Sequence, residues 1–286
     1  MPIAAELYYF SHEAEQQHSA KHPPVILIHG AGGNHLTWPP QIRRLPDERI
    51  YALDLPGHGS SEGAGRQSID EYADDVIAFM KELKISAAVI VGISMGSAIA
   101  LTLALKYPKK VLGLGLLGGG AKLRVALEIL ETTGNANTFE LAVELVNANC
   151  FSVNVPPGLL ELSKKQMLEM RPPVLQGDFL ACNTFDVVGQ LEKIVFPTLI
   201  ICGVEDKMTP LKFSELLRNG IVNSQLHVVE NAGHMVMLEQ PDIVADLLKK
   251  FIDDLPPRRR TKKVRIIPDG ETAPVQQAES SLPDGS

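Results

Sequence analysis

Residues 87 to 96 read Ala-Ala-Val-Ile-Val-Gly-Ile-Ser-Met-Gly, an apolar run that stops at a serine with a glycine two positions to either side. The run predicts a buried strand, and the small, apolar residues 95–106 predict a helix directly after it. A G-x-S-x-G pattern between strand and helix is typical of a nucleophile elbow, the sharp turn that exposes one hydroxyl. Gly92 and Gly96 leave room for the two elements to approach. We therefore predict that Ser94 is a nucleophile, the alternative being a capping serine in a glycine-rich loop.

Two polar residues follow later strands in the order that such an elbow requires. A serine hydroxyl is a weak nucleophile without an adjacent base, which is usually a histidine held by a carboxylate. Asp206 comes soon after the apolar run TLIIC, and His234 soon after QLHVVE, so both fall at strand carboxyl ends, where the loops of a parallel sheet converge. We predict a catalytic triad of Ser94, Asp206 and His234, with Glu205 as the alternative carboxylate.

Negative charge that develops on a substrate oxygen needs backbone donors that are already in place. The amide of Met95, the residue after the serine, lies at the start of a predicted helix and is one candidate. The loop His-Gly-Ala-Gly-Gly, residues 29–33, follows the first long apolar run and has the small residues that allow a substrate to approach its backbone. We predict Ala31 as the second donor of this oxyanion hole, with Gly32 as the alternative. We assign His29 a structural role in orienting the loop.

Strand and helix signals alternate along most of the chain. Short apolar runs occur at 25–29, 50–55, 87–91, 111–117, 197–202 and 225–230. Apolar residues recur at helical spacing within 69–83, 95–106 and 241–255. Strands that are apolar throughout and alternate with helices predict an α/β fold, with a mostly parallel central sheet and helices on both faces.

The alternation stops between residues 121 and 185, where helical patterns occur at 123–132, 139–148, 158–170 and, over a shorter stretch, near Phe179. We predict that residues 1–120 and 186–255 form the core and that residues 121–185 form a helical cap inserted into it. The cap interval is rich in Leu, Val, Ala and Met, which predicts an apolar pocket. Arg124 and Arg171 are candidates for recognising a substrate carboxylate, or else surface residues.

The composition is that of an ordinary globular protein, with 45% hydrophobic residues and a net charge of -7 in 286 residues. This charge argues against nucleic acid as a partner. Three cysteines and eight scattered histidines form neither a disulfide framework nor a metal-ligand spacing, so we predict no metal and no cofactor. The sequence shows no secretory signal and no apolar segment long enough to span a bilayer. We expect a cytoplasmic protein and make no prediction of its oligomeric state.

The last segment, residues 256–286, differs in composition from the rest of the chain. Six basic residues cluster near its start, and it has few apolar residues to bury. This composition predicts a solvated, disordered tail. A basic tether for an anionic surface or for RNA is the functional alternative.

One glycine pattern suggests a different class of protein. Residues 113–118, Gly-Leu-Gly-Leu-Leu-Gly, match the fingerprint of dinucleotide-binding sites. The match starts inside a predicted strand rather than after one, and several strands precede it. We therefore do not expect a cofactor there.

Five stretches together resemble the α/β-hydrolase superfamily, and in particular its serine hydrolases with a helical cap. They are HGAGGN (29–34), DLPGHGSS (54–61), GISMGSAIAL (92–101), GVEDKMTP (203–210) and NAGHMVMLEQPD (231–242). The resemblance covers nearly the whole chain except the tail. It implies catalytic roles for Ser94, Asp206 and His234 and oxyanion roles for the amides of Ala31 and Met95. We interpret DLPGHGSS as structural, with His58 near the site at most.

The resemblance leaves several reactions open, because a fold does not choose its chemistry. Haloalkane dehalogenases and epoxide hydrolases of this superfamily carry an aspartate at the nucleophile position, and Ser94 argues against both. We expect hydrolysis of carboxylic ester-like bonds of a small, apolar substrate through an acyl-enzyme. The alternatives are a lactonase, a thioesterase or a C–C bond hydrolase with the same triad, and a small-molecule-binding receptor on a hydrolase fold.

Overall fold

A computed structural model describes residues 2–13 and 22–255 of the chain. The tail predicted from residue 256 onward lies outside the described residues. Ten α-helices occur in the described ranges: α1 (Pro40–Arg43), α2 (Ile69–Glu82), α3 (Met95–Lys106), α4 (Leu127–Thr133), α5 (Phe139–Cys150), α6 (Pro157–Leu168), α7 (Pro172–Thr184), α8 (Leu211–Gly220), α9 (Val236–Glu239) and α10 (Pro241–Asp253). Short 3-10 turns are at His35–Thr37, Pro108–Lys110 and Val188–Lys193.

The centre of the molecule is an eight-stranded sheet. Its strands are β1 (Ile3–Ala4), β2 (Leu7–His12), β3 (Val25–Ile28), β4 (Ile50–Leu53), β5 (Ala88–Ile93), β6 (Val111–Leu117), β7 (Thr198–Gly203) and β8 (Ser224–Val229). Their spatial order is β1-β2-β4-β3-β5-β6-β7-β8. The pairings of β1 with β2 and of β2 with β4 are antiparallel, and the other five are parallel. The predicted α/β fold class is confirmed.

Helices cover both faces of the sheet because its central strands carry apolar side chains on both sides. In β3, Ile26 and Ile28 pack into one core with α2 and α3, whereas Val25 and Leu27 pack into the other with α1 and α10. The alternation follows from the two-residue repeat of a strand. Because strands β3 to β8 run parallel, their carboxyl ends meet at one edge of the sheet, where the predicted site residues lie.

The interval predicted as a cap contains four helices, α4 to α7, which we call the helical segment. They lie between β6 and β7 in the chain and share a small apolar core of their own that includes Phe139, Val143 and Leu175. Among the described residues, no helix is both long and apolar enough to cross a bilayer.

Several elements of the fold were not predicted from the sequence, among them the short helices α1 and α9. The first two strands, β1 and β2, add an antiparallel ribbon at the sheet edge, and most side chains of β2 are only half buried. Edge strands of this kind lack the continuous apolar run of a central strand, which hides them from a hydrophobicity pattern. Helix α8 was also missed, since only Ser214 and Leu217 of its ten residues are buried.

Helix α7 is longer than the short pattern near Phe179 predicted. It runs for 13 residues from Pro172, and proline is well tolerated in the first turn of a helix. Its buried residues form one wide face of the helix. That face includes Gly177 and Asp178, which are not apolar, so the hydrophobic pattern of the helix is weak.

Candidate active site

The serine of the opening motif lies on the turn between β5 and α3. Ser94 has φ 55° and ψ -117°, a strained conformation for a residue with a side chain. Its amide donates a hydrogen bond to the carbonyl oxygen of Leu117 at 2.9 Å, which ties the turn to β6. A Cβ atom at Gly92 would collide with the carbonyl of Gly96, and one at Gly96 with the carbonyl of Ile28. The two glycines are therefore required by the close approach of strand and helix.

The predicted acid and base form a buried pair. His234 Nδ1 lies 2.9 Å from Asp206 Oδ2. Asp206 also accepts hydrogen bonds from the amides of Met208 (2.9 Å) and Thr209 (2.8 Å) and from the Thr209 hydroxyl (2.9 Å). Burial alone would raise the pKa of Asp206, but His234 and the Thr209 donors together lower it below its usual value. The carboxylate is thus held ionised and pointed at the histidine.

The histidine has one ring nitrogen free for chemistry. Within residues 2–13 and 22–255, the hydrogen bonds of the His234 ring all involve Nδ1. Because Nδ1 donates to Asp206, Nε2 carries a lone pair that can accept a proton. His234 and Ser94 line the same pocket. The structure therefore brings all three predicted triad residues to one edge of the sheet.

The alternative carboxylate lies elsewhere. Glu205 Oε2 accepts a hydrogen bond from the amide of Val153 at 2.9 Å. It contacts the loop after α5, whereas Asp206 contacts His234. The geometry therefore favours Asp206 as the partner of the histidine.

Hydrogen bonds in the loop of residues 30–33 distinguish the two candidates for the second oxyanion donor, Ala31 and Gly32. The Gly32 amide donates to Asp178 Oδ2 at 2.9 Å and so is not available to a substrate. The Gly33 amide closes a turn by donating to the carbonyl of Gly30 at 3.1 Å. In the described part of the chain, the amides of Ala31 and Met95 have no hydrogen-bond partner. Ala31 and Met95 are thus the candidates with free donors.

His29 is a neutral residue that holds this loop through a hydrogen bond to Gly30. Its Nε2 accepts a hydrogen bond from the Leu55 amide at 3.1 Å, so Nδ1 carries the proton and donates to the carbonyl of Gly30 at 2.8 Å. Burial, together with the neighbouring His58, lowers the pKa of His29 to about 4. These contacts match the loop-orienting role that the sequence predicted.

A second buried pair, not predicted from the sequence, joins the helical segment to the core. Asp178 on α7 is fully buried, and its Oδ2 lies 2.8 Å from His58 Nε2. The Tyr72 hydroxyl donates to Asp178 Oδ1 at 2.5 Å. His58 and Tyr72 lie more than 100 positions from Asp178 in the chain, so sequence spacing does not predict these contacts. The signal in the sequence was Asp178 itself, the only charged residue of α7.

The glycine pattern at 113–118 is explained by packing. Residues 113 and 115 lie within β6, where a Cβ atom would come 3.1 Å from Leu255 and 3.0 Å from Val91. Gly118 has φ +45°, and a Cβ atom there would come 3.0 Å from His234 Nδ1. This glycine therefore makes room for the histidine.

One group of residues has the donor types of a metal site. His22, Glu48 and Asp253 place one ligand-type atom each within 4.8 Å of one another. Lys249 Nζ lies 2.5 Å from Asp253 Oδ1 and 3.4 Å from Glu48 Oε1. The lysine already pairs with both carboxylates, so the group is an ion-pair cluster rather than an obvious metal centre.

The pocket beside Ser94 is mainly apolar. It encloses about 670 Å³ of empty space, part of it open to solvent. Met167, Phe179 and Met235 supply apolar walls, and Ser163 and Gln166 on α6 add neutral polar groups. Among the residues that the structure describes, its lining contains no Lys, Arg, Asp or Glu.

The two arginines that were candidates for binding a substrate carboxylate have other contacts. Arg124 donates to the carbonyl of Asn183 at 3.1 Å, and Arg171 donates to the carbonyl of Gly63. Neither belongs to the lining of the pocket beside Ser94. The structure therefore does not bring them to the candidate site.

A mostly parallel sheet with a serine on its central strand-to-helix turn, and a His–Asp pair at neighbouring strand ends, defines a hydrolase of the α/β type. The family model for the alpha/beta hydrolase fold matches residues 23–241, and the chain belongs to this family. The predicted resemblance is thereby confirmed, and the chain is a hydrolase.

Named relatives are similar over most of their length. The chain is 30% identical to 2-hydroxymuconate semialdehyde hydrolase of Pseudomonas putida, covering 80% of this chain and 86% of the relative. It is 26% identical to 3-oxoadipate enol-lactonase 1 of Acinetobacter baylyi, covering 82% and 90%. A solved structure of a thermophilic esterase is 34% identical with a TM-score of 0.73, covering 87% of this chain and 98% of that one.

Proposed function

We propose that this hydrolase cleaves carboxylic ester-like bonds of small, neutral, apolar substrates with a Ser94–His234–Asp206 triad. The observation that carries the proposal is the pocket lined by Ser94 on its strained elbow, by His234 of the buried His–Asp pair and by Ala31 with its free amide. A carbonyl group that enters it finds a nucleophile, a base and donors for its oxygen.

Each residue has one role in the proposed mechanism. Ser94 Oγ attacks the carbonyl carbon while His234 Nε2 takes its proton. The amides of Ala31 and Met95 bind the oxygen as it becomes negative. His234 then donates the proton to the leaving alcohol, and an acyl-enzyme remains. Water, activated by His234, releases the acid, while Asp206 stabilises the histidine in its charged state.

The neutral lining supports the substrate class. A substrate carboxylate in this pocket would lose its hydration without gaining a cationic partner, which is costly. Cyclic esters belong to the same chemical class, and the similarity to an enol-lactonase makes lactone hydrolysis the second candidate. Both reactions use the same acyl-enzyme.

The test is hydrolysis of p-nitrophenyl esters of increasing acyl length by wild type and by Ser94→Ala. We expect the variant to fold normally and to lose about 10⁴-fold or more of its turnover. Ser97→Ala is the matched control, because its hydroxyl lies on the same helix but donates to the carbonyls of Gly92 and Leu117. It should keep turnover within about fivefold. Near-full activity of Ser94→Ala would refute the triad.

The substrate class is tested separately with two esters of equal length, one neutral and one ending in a carboxylate. We expect the neutral ester to have a kcat/KM at least about tenfold higher, because the pocket lacks a cation for the carboxylate. Equal values for the two esters would contradict the neutral substrate class but not the triad.

A further inference from the structure

Asp178 receives three hydrogen bonds from three different parts of the core. Oδ2 accepts from the Gly32 amide (2.9 Å) and from His58 Nε2 (2.8 Å), and Oδ1 accepts from the Tyr72 hydroxyl (2.5 Å). The three donors occupy three of the roughly four acceptor positions of a carboxylate. A fully buried carboxylate that is satisfied in this way fixes the position of every group bonded to it.

The Gly32 bond reaches the backbone that carries the proposed oxyanion donor. The carbonyl of Gly30 belongs to the same planar peptide unit as the Ala31 amide, and it accepts from both His29 Nδ1 and the Gly33 amide. The next peptide unit ends in the Gly32 amide, which Asp178 holds. Two successive peptide planes are therefore fixed, the first by the core and the second by the helical segment.

The loop of residues 30–33 also packs closely against α7. Gly32 has φ +66°, and a Cβ atom there would lie 2.8 Å from Leu175 on the same helix. A glycine in the left-handed region has wide conformational freedom unless something holds it. The Asp178 carboxylate is the polar group that does so.

The charge of Asp178 is compatible with a nearby oxyanion because it is paired. His58 Nδ1 lies 3.0 Å from the carbonyl of Pro56 and Nε2 faces the carboxylate, so both ring nitrogens face acceptors and the ring is an imidazolium. Burial alone would lower the pKa of His58, but the Asp178 carboxylate outweighs it and the pKa is raised. The buried pair thus carries no net charge.

We infer that Asp178 is a positioning residue for catalysis. The core holds the peptide plane of the Ala31 amide, and the Asp178 carboxylate holds the next plane through Gly32, which restricts the direction of that amide. The inference rests on the proposed function. It means that α7 does more than line the pocket, because the loop that carries the oxyanion donor is held on both sides only when this helix is packed against it.

The test compares Asp178→Ala, Asp178→Asn and Tyr72→Phe. Asp178→Ala should lower kcat about 10- to 100-fold, less than deletion of an oxyanion donor usually costs, with KM changed less than about threefold. Asp178→Asn keeps one oxygen for the Gly32 amide and should recover part of the loss. Tyr72→Phe removes a donor from the same carboxylate without touching Gly32, so it should lower the melting temperature but keep kcat within about threefold. Equal losses of kcat in all three would overturn the inference.

A second measurement distinguishes positioning from general damage. A trifluoromethyl ketone forms an adduct with Ser94 whose oxygen needs the oxyanion amides, whereas the product alcohol has no carbonyl oxygen and does not need them. Asp178→Ala should weaken binding of the ketone by the same factor as kcat/KM and leave inhibition by the alcohol within about threefold. Parallel losses for both ligands would contradict the inference.

Hydrogen exchange makes the result independent of the proposed reaction. The peptide spanning residues 30–36 should exchange faster in Asp178→Ala than in Tyr72→Phe or wild type, whether or not esters are hydrolysed. Unchanged exchange in Asp178→Ala would refute the positioning of the loop. Failure of wild type to hydrolyse esters in a Ser94-dependent way would instead refute the proposed function.

Discussion

In the described part of the chain, two histidine–carboxylate pairs have both partners buried, with nearly the same separation and different surroundings. His234 and Asp206 are 2.9 Å apart, and His58 and Asp178 are 2.8 Å apart. In the first pair, His234 lines the same pocket as Ser94, and its Nε2 has no hydrogen-bond partner among the described residues. In the second pair, the other ring nitrogen, His58 Nδ1, is hydrogen-bonded to the carbonyl of Pro56.

The difference shows that a pair of residue types does not define a catalytic site. A ring with one free nitrogen can take up and release a proton, whereas a ring with both nitrogens bonded to acceptors is a fixed cation. The first arrangement suits general base catalysis, and the second suits holding two parts of the fold together. Variants that remove either histidine should therefore fail in different ways.

The largest effect is expected on turnover at the first pair. His234→Ala should lower kcat by about 10⁴-fold, since Ser94 loses its base. Its free energy of unfolding should change little, because Asp206 keeps its donors from Met208 and Thr209. Ester hydrolysis and urea denaturation measure the two quantities. A severe loss of stability with turnover intact would reverse the roles of the two pairs.

At the second pair we expect the main loss in stability. His58→Ala leaves the fully buried Asp178 carboxylate without its cation, which costs about 3–5 kcal/mol of unfolding free energy. Turnover per folded molecule should fall less than about tenfold, as His58 does not contact the substrate. Active-site titration before the kinetic assay supplies the folded fraction. A loss of kcat as large as that of His234→Ala would remove the distinction.

The two pairs should also contribute to stability in opposite pH ranges. The pKa of His58 is raised in the folded state, so its contribution is full below about 6.5 and is lost as the pH rises through the folded value. The pKa of Asp206 is lowered, so its contribution is present above about 3.8 and is lost as the pH falls. The double variant His58→Gln with Asp178→Asn removes the second pair at similar volume. Its stability deficit should shrink between pH 6 and 9 in urea titrations, and a growing deficit would contradict the assignment.

The smallest effect is expected beside the first pair. Glu205→Gln should change kcat less than about twofold, because the Glu205 side chain contacts the Val153 amide and not His234. Asp206→Asn is the matched comparison and should lose about 10⁴-fold. Steady-state kinetics on one ester settles the choice of carboxylate. A large loss in Glu205→Gln alone would make Glu205 the triad member.

The sequence predicted the central sheet and the placement of the triad candidates because both depend on local patterns. Strand β6 runs from Val111 to Leu117, as predicted, since its residues are apolar and it is buried on both faces. The second pair was invisible because it joins three remote segments through one aspartate. Hydrophobic periodicity reports which side of an element is buried, but it does not report which polar groups meet there.

The positions of Asp178 and its partners along the chain also determine when during synthesis these contacts can form. Its three hydrogen bonds join residues 146, 120 and 106 positions apart, and a chain emerges from the ribosome with its N-terminus first. The elbow with Ser94 is made long before α7, and the histidine and aspartate of the first pair come later still. With the proposed triad, a nascent chain carries the hydroxyl without its base and without a fully held amide, and we expect hydrolytic activity only when nearly the whole described fold has been made.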